Sequence, residues 1–319
     1  MKSIALFIAL AFVTIEASAA APYPVRPIRM IVPFPPGGST DVVGRLVAQR
    51  LGESLGQIVI VDNRPGAGGN LGSEIAARAE PDGYTMVMGT VATVTINQHL
   101  YGKLNYDPAK DLVPLTTVAT AFQVLLAHPS ANLGSIADLI RVAREKPGTL
   151  TAASASNGTT GHLSLELLKL LTKSDIAHVP YRGAGPAQVA LLGGQVQLLF
   201  DSITTALPNV QSGRVRALGV TSRTRSALLP SVPSIGETIP GFETTGWFAL
   251  LVPAGTPPAI RTRLADAITA VLKTDDIRTR ISALGAEPML LSGPPLDRFL
   301  GDERAKWERV IKQANIKVD

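Results

Sequence analysis

The chain has 319 residues, of which 45% are apolar and 5% aromatic, and its formal net charge is +5. The basic residues are scattered and aromatic residues are scarce, which argues against nucleic-acid binding, since that needs clustered cations and stacking platforms. Cysteine is absent, which excludes disulfides and thiolate metal sites, and a chain of this length can bury a large core, usually in two domains.

The first 20 residues have the pattern of a secretory signal peptide. Lys2 supplies the positive start, residues 4–13 form an apolar stretch, and residues 17–19 are the small residues Ala-Ser-Ala. This order is typical of a cleaved signal. The alternative, an uncleaved anchor, is disfavoured because the stretch is shorter than the about 20 residues that cross a bilayer. We therefore expect export to the periplasm.

From residue 28 onward, short apolar runs alternate with segments whose apolar residues recur at helical spacing. The predicted strands are 28–32, 58–61, 85–88, 113–118, 123–127, 150–153, 177–179, 196–200, 215–220 and 248–252. The predicted helices are 41–55, 70–79, 135–146, 162–172, 186–192, 257–272, 276–284 and 294–313. This alternation indicates an α/β fold with mostly parallel sheets flanked by helices.

The order of these elements predicts two α/β units. The extended stretches 112–127 and 247–253 would carry the chain from one unit to the other and back. We predict a first domain of residues 22–122 plus 246–319 and a second domain of residues 123–245. A simple split near residue 120 is the structural alternative.

The first glycine-rich loop has the sequence PFPPGGSTD at residues 33–41, between a predicted strand and a predicted helix. Two glycines allow a tight turn, and Ser39 or Thr40 is placed at the N-cap of the helix. The start of a helix presents unpaired N–H groups and a positive dipole end, which suits a carboxylate. The loop has no reactive side chain and is therefore predicted to hold a ligand.

Three other glycine-rich loops follow the first. Residues 152–161 and 181–186 each follow a strand and precede a helix, whereas residues 66–72 miss the dinucleotide fingerprint because Leu71 replaces its last glycine. Glycine-rich turns after strands in both halves of the chain predict a cleft lined by the carboxyl ends of strands.

Several spaced motifs make the sequence resemble a known family. They are PFPPGGSTD at 33–41, VDNRPGAGGN at 61–70, PDGY at 81–84, HVPYRG at 178–183, LGGQV at 192–196, RALGVT at 216–221 and LVPAGTP at 251–257. Over essentially the whole mature chain the sequence resembles the Bug receptors, the extracytoplasmic solute receptors of tripartite tricarboxylate transporters. It departs from them in the more apolar residues 91–95 and in Arg182, where lysine is common.

The resemblance implies a type II-like Venus-flytrap binding protein without catalysis or cofactor, which grips a carboxylate through backbone groups, hydroxyls and bridging waters. It implies a monomer that delivers its ligand to membrane permease subunits; docking on a membrane sensor kinase is the alternative. The ligand-binding residues carried over to this chain are Phe34, Gly38, Ser39, Thr40, Asp41, Gly89 and Thr90 from the first domain, and Ser154, Asn157, Thr159, His162, Tyr181 and Asp201 from the second.

Some of these residues have a second interpretation. Asp201 could receive an amine or hydroxyl of the ligand, or could cap the next helix. Tyr181 could line the pocket or pack below it, and His162 could contact the ligand or simply hydrogen-bond at the helix start. His178, on a short strand between apolar residues, is predicted to be a core histidine.

The remaining chemistry points away from an enzyme. Ser154, His162 and Asp201 could be drawn as a hydrolase triad, but the nucleophile elbow G-x-S-x-G is missing. The four histidines show no metal-binding spacing, so no metal is predicted. The candidate ligands are di- or tricarboxylates, acidic amino acids and aromatic acids, and the apolar residues 91–94 favour a ligand with a hydrophobic body.

Overall fold

A computed structural model describes residues 23–318 of the chain. The predicted signal peptide lies outside these residues. The strands are β1 (Ile28–Val32), β2 (Val59–Asn63), β3 (Thr85–Thr90), β4 (Leu112–Ala127), β5 (Thr151–Ser154), β6 (Ala177–Pro180), β7 (Leu198–Ser202), β8 (Arg216–Val220), β9 (Thr245–Pro253) and β10 (Glu287–Pro288).

Ten α-helices accompany these strands within the described residues. They are α1 (Ser39–Leu55), α2 (Asn70–Ala77), α3 (Asn97–Leu100), α4 (Ile136–Glu145), α5 (Thr160–Thr172), α6 (Ala184–Leu192), α7 (Ile203–Gln211), α8 (Pro258–Leu272), α9 (Asp275–Ala283) and α10 (Pro294–Gln313). A π-helix, Ala92–Ile96, leads directly into α3.

The strands form two lobes that share one long strand. In the first lobe the order is β2-β1-β3-β9-β4, with β10 beside β4; in the second, β7, β5 and β6 follow β4, and β8 also pairs with it. The pairs β1–β2, β1–β3, β5–β6 and β5–β7 are parallel, whereas β9 is antiparallel to β3 and β4. Each lobe thus contains three parallel strands that continue into antiparallel strands, so each sheet is mixed; the helices flank the sheets, as the predicted α/β fold requires.

Strand β4 links the lobes. Its residues 112–122 pair with β9 in the first lobe, and its residues 123–127 pair with β7 and β8 in the second. The sequence predicted two strands here, 113–118 and 123–127, but residues 119–122 continue the strand, so β4 is one strand of 16 residues. The chain returns to the first lobe at β9, and the domain boundaries at 122/123 and 245/246 stay a prediction.

Two other differences concern helices. Helix α7 was not predicted, because it contains Pro208 and begins with β-branched residues that have low helix propensity. Helix α1 begins at Ser39, so that its N-cap is Gly38 and not Ser39 or Thr40 as predicted. Glycine is an acceptable N-cap here because the Asp41 side chain accepts a hydrogen bond from the Gly37 amide.

The C-terminal helix α10 packs on the first lobe. The indole Nε1 atoms of Trp247, on β9, and Trp307, on α10, both donate to Glu303 Oε2, at 3.0 and 3.1 Å. Both tryptophans are almost completely buried. Trp307 is therefore a packing residue, and the two indole hydrogen bonds tie the end of the chain to β9.

Candidate ligand-binding cleft

A cavity lies between the two lobes, at the carboxyl ends of their strands. Its volume is about 90 Å³, which suits a small molecule. Its lining residues come from both lobes. They are Phe34, Pro35, Gly38, Ser39, Thr40, Thr90, Val91, Ala92, Ala121, Gln123, Ala155, Thr159, Thr160, Gly161, Gly183, Ala184, Phe200, Asp201, Ser202, Gly246, Trp247 and Phe248.

Four α-helices of eight or more residues begin at this cavity. The first residues of α1, α5 and α6 belong to its lining, as does Ser202, the N-cap residue of α7. The first amides of a helix have no acceptor within the helix, and its N-terminus carries a partial positive charge. Among the lining residues that the structure describes there is no lysine or arginine, so the helix starts supply the positive potential of the cleft.

The first loop presents its hydroxyls to the cavity. Gly38 precedes α1 in an extended conformation and has no side chain that could cap the helix. Ser39 and Thr40, the first two residues of the helix, both line the cavity. Their amides and hydroxyls are therefore available as hydrogen-bond donors to a ligand.

Asp41 is engaged within its own loop and does not belong to the cavity lining. Its Oδ2 accepts from the Gly37 amide at 2.9 Å and from Arg45 Nε at 3.0 Å, and its Oδ1 accepts from Asn63 Nδ2 at 2.9 Å. Burial favours a higher pKa, but the hydrogen bonds from Arg45, Gly37 and Asn63 outweigh it and lower the pKa of Asp41. The ionised carboxylate thus fixes the shape of the loop.

In the second lobe, a pair of stacked histidines supports the loop between β5 and α5. The rings of His162 and His178 have centroids 4.1 Å apart. His162 Nδ1 accepts from the Gly158 amide at 3.1 Å, and Ser154 Oγ lies 2.7 Å from His178 Nε2. Ser154 therefore faces His178, on the neighbouring strand, and none of Ser154, His162 and His178 lines the cavity.

The histidine pair should make folding stability depend on pH. Burial, with smaller contributions from His178 and Lys169, lowers the pKa of His162 to about 3, and burial with Lys169 lowers that of His178 to about 4. The folded chain then binds fewer protons than the unfolded chain below pH 6.5, so stability falls as the pH drops. Each histidine lowers the unfolding free energy by about 1.4 kcal/mol for each pH unit in that range.

Asp201 acts in the opposite direction. Burial raises its pKa to about 6. Below pH 6 the folded chain therefore binds a proton that the unfolded chain does not yet bind, and the unfolding free energy rises by about 1.4 kcal/mol for each pH unit. We expect a net loss of about 2 kcal/mol in unfolding free energy between pH 6.5 and 5. Urea unfolding at several pH values measures it. His178→Gln should flatten the profile and Asp201→Asn should steepen it; a flat wild-type profile would contradict the expectation.

Asp201 lines the cavity, and its carboxylate is already hydrogen-bonded within the protein. Gln188 Nε2 donates to Oδ2 at 2.6 Å, while Thr205 Oγ1 and the Ser202 amide donate to Oδ1 at 2.8 and 2.9 Å. Ser202 is the N-cap residue of α7 and Thr205 lies in its first turn, so Asp201 hydrogen-bonds to the start of this helix in addition to bordering the cavity, although its side chain does not accept from a helix amide. Together with the positions of Ser154 and His162, this leaves the hydrolase triad unassembled.

The other predicted residues divide between the cavity and its surroundings. Phe34, Thr90 and Thr159 line it, whereas Tyr181 lines a neighbouring pocket that shares Phe34 and Gly183 with the cavity. Gly89 lies between β9 and the π-helix, where a Cβ atom would come within 2.5 Å of Leu251 Cδ1. The carbonyl of Asn157 faces the first lobe and is described below.

Sequence reasoning missed much of the apolar wall. Phe200 and Phe248 line the cavity from strands that the sequence predicted, and Trp247 lines it from the position just before the predicted strand 248–252. A strand buried on both faces reads as a continuous apolar run, so the pattern does not show which residue faces the cleft. Residues 91–94, noted as apolar, do contribute Val91 and Ala92, at the start of the π-helix.

Two α/β lobes, joined by crossing strands and closed over one cavity, define a solute-binding receptor of the periplasmic type. The profile of the tripartite tricarboxylate transporter family receptor (TctC) matches residues 43–316. The chain is also 38% identical to protein BugT of Bordetella pertussis over 317 residues, which cover 99% of this chain and 97% of that protein. It therefore belongs to the TctC/Bug family of periplasmic solute receptors and is not an enzyme.

Solved structures agree with this assignment. An R. palustris protein with adipate has a TM-score of 0.90 and 38% identity, covering 92% of this chain and 99% of that one. MatC from Rhodopseudomonas palustris with bound malate has a TM-score of 0.84 and 34% identity, covering 91% and 100%. Within residues 23–318, no helix has both the length and the apolar character to cross a membrane.

Proposed function

We propose that this chain captures a small carboxylate in the cleft between its lobes and delivers it to permease subunits of a tripartite tricarboxylate-type transporter. One observation carries the proposal: helix starts from both lobes, α1 and α5, meet at one cavity. Amides in a water-poor cleft can hold an anion without a cationic side chain, because hydrogen bonds to a charged group contribute about 1.5–3 kcal/mol each.

The proposed ligand contacts come from the two helix starts. Gly38, Ser39 and Thr40 donate from the first lobe, and Thr159 donates from the second with the neighbouring Thr160 and Gly161 amides. Thr90 adds a hydroxyl at the end of β3. Asp41, Ser154 and His162 act one step away, by holding these loops in shape.

The apolar wall supports a ligand with a hydrophobic body. Phe34, Val91, Ala121, Phe200 and Phe248 line the same cavity as the helix starts. An acid with a methylene chain or an aromatic ring would bury its body there and place its carboxylate at the amides. The similar R. palustris receptor solved with adipate, a diacid with an apolar middle, is consistent with this preference.

A ligand panel tests the proposal. The mature protein is mixed with adipate, malate, citrate, glutamate and terephthalate, with adipamide as the uncharged control, and binding is measured by calorimetry and thermal shift. We expect at least one acid to bind and adipamide not to. A ligand at 100 times its dissociation constant adds about 2.7 kcal/mol of stability. No response to any acid would contradict the proposal.

The proposed location is the periplasm, reached after removal of residues 1–20. The family membership and the charge and apolar pattern of that segment support it. N-terminal sequencing of the exported protein would show the cleavage point, and an intact Met1 would contradict removal.

A further inference from the structure

The two lobes touch each other beside the ligand cavity, at residues that do not line it. Asn97 and Leu100 of α3, in the first lobe, face Gly158 of the second lobe. Gly158 belongs to the loop that leads into α5, and therefore to the loop that brings Thr159 to the cavity. Helix α3 directly follows the π-helix, whose first residue, Ala92, lines the cavity. Both sides of this contact are therefore connected to the binding site.

Asn97 is fully buried, and its side-chain orientation is fixed. Its Nδ2 donates to the Gly68 carbonyl at 3.1 Å and to Asn70 Oδ1 at 2.6 Å. Two acceptors on this side require the nitrogen there, so Oδ1 must point the other way, toward Gly158. Within residues 23–318 this Oδ1 has no hydrogen-bond partner and is sealed from solvent.

Gly158 fits against Asn97 only because it lacks a side chain. A Cβ atom on Gly158 would overlap Asn97 Oδ1 and lie 3.2 Å from Leu100 Cδ2. The Gly158 amide is already donated to His162 Nδ1, so it cannot pair with the Asn97 oxygen. The contact therefore contributes shape and no conventional hydrogen bond.

A second glycine repeats this arrangement from the other lobe. A Cβ atom on Gly68, whose carbonyl accepts from Asn97, would lie 2.8 Å from the Asn157 carbonyl oxygen and 2.6 Å from Tyr101 Oη. Asn97 thus holds the Gly68 loop in the position where it meets residues 157 and 158. At both glycines the backbone of one lobe lies directly against atoms of the other lobe, and neither position has room for an added methyl group.

We infer that Asn97 and Gly158 form an interlobe contact that controls closure of the cleft, and that they act as positioning residues for ligand capture. The inference rests on the proposed function. Closing the cleft is what brings the two helix starts onto one ligand, so a change that blocks this contact lowers affinity without altering any ligand-contacting group.

The test is a double-mutant cycle with adipate as the probe. Gly158→Ala should weaken adipate binding at least about tenfold, chiefly through faster dissociation, because the closed form is lost. Gly213→Ala is the matched control: both glycines have positive φ, +76° and +71°, but a Cβ on Gly213 meets nothing within 4 Å. Its affinity should equal that of the wild type.

The cycle separates a steric block from local backbone strain. Asn97→Ala removes the oxygen that the new methyl group would overlap, so in that background Gly158→Ala should cost less than about threefold in affinity. Strain at residue 158 alone predicts the same loss in both backgrounds. Equal losses, or a wild-type affinity for Gly158→Ala, would overturn the inference.

A distance measurement keeps the two proposals distinguishable. The chain has no cysteine, so Lys103→Cys and Gln195→Cys, at exposed positions of the two lobes, can carry a spin-label pair. Gly158→Ala should remove the short interlobe distance that the wild type and Gly213→Ala show, with or without adipate. A wild-type distance distribution in Gly158→Ala overturns the inference even if adipate does not bind, whereas failure of every acid to bind counts against the proposed function.

Discussion

Replacing Ser39 and Thr40 together by alanine is expected to weaken the binding of adipate, or of whichever panel acid binds, about 100-fold. Both hydroxyls line the cavity at the start of α1, and a hydrogen bond to a charged group contributes about 1.5–3 kcal/mol, with tenfold in affinity for each 1.4 kcal/mol. The amides of both residues remain, so binding should be weakened and not abolished. Isothermal titration calorimetry measures the change.

Thr274→Ala provides a matched control at another helix start. The Thr274 hydroxyl accepts from the Ile277 amide and caps α9, which does not contribute to the cavity lining. This variant should lose about 1 kcal/mol of stability and keep its affinity, whereas the Ser39/Thr40 variant should keep most of its stability, since Gly38 and not either hydroxyl is the N-cap. Equal affinity in all three proteins would contradict the assignment of the first loop.

The candidate site was predictable where it depends on local sequence. A glycine-rich turn between a strand and a helix specifies a helix start at the sheet edge, and this is how the loops 33–41 and 152–161 were predicted to hold a ligand. The family resemblance then implied the individual residues Gly38, Ser39, Thr40 and Thr159. The role of Ser154 was not predictable in this way. It depends on the register of β5 with β6, in which Ala152 lies opposite His178 and so places Ser154 and His178 on the same face.

The fold shows the same division between local and distant information. Helical and strand periodicity predicted most elements, including the crossing stretch that became β4. Helix α7 was not predicted, because Pro208 and its threonines have low helix propensity and the helix depends on tertiary packing. The contact between Gly158 and Asn97 joins residues about sixty positions apart in the chain, and local sequence patterns do not show which residues of two lobes meet.

The charge of the cleft differs from the net charge of the chain. The chain carries +5, but the one ionisable side chain that the structure places in the cavity lining is the acidic Asp201. Positive potential at the site comes instead from the aligned peptide dipoles of α1, α5, α6 and α7. Raising the salt concentration should therefore reduce adipate affinity only weakly, because buried amides are screened much less than surface cations.

Replacing Trp307 by alanine is expected to cost about 3–5 kcal/mol of unfolding free energy, the range for removing a fully buried aromatic side chain. The indole packs between α10 and the first lobe with no solvent exposure, and its loss also removes one of the two indole donors to Glu303 Oε2. Urea unfolding, followed through the fluorescence of the remaining Trp247, gives the value.

Trp307→Phe separates packing from hydrogen bonding at this position. Phenylalanine keeps most of the apolar contact and lacks only the N–H donor to Glu303, which still accepts a hydrogen bond from Trp247. This variant should therefore lose no more than about half of the unfolding free energy that the alanine variant loses. If α10 completes the first lobe, as the predicted discontinuous domain requires, Trp307→Ala should also weaken adipate binding, because α10 packs against the π-helix and α3 that border the cleft. An alanine variant that unfolds at the wild-type urea concentration would show that the C-terminal helix is dispensable and would remove the chain's end from the first domain.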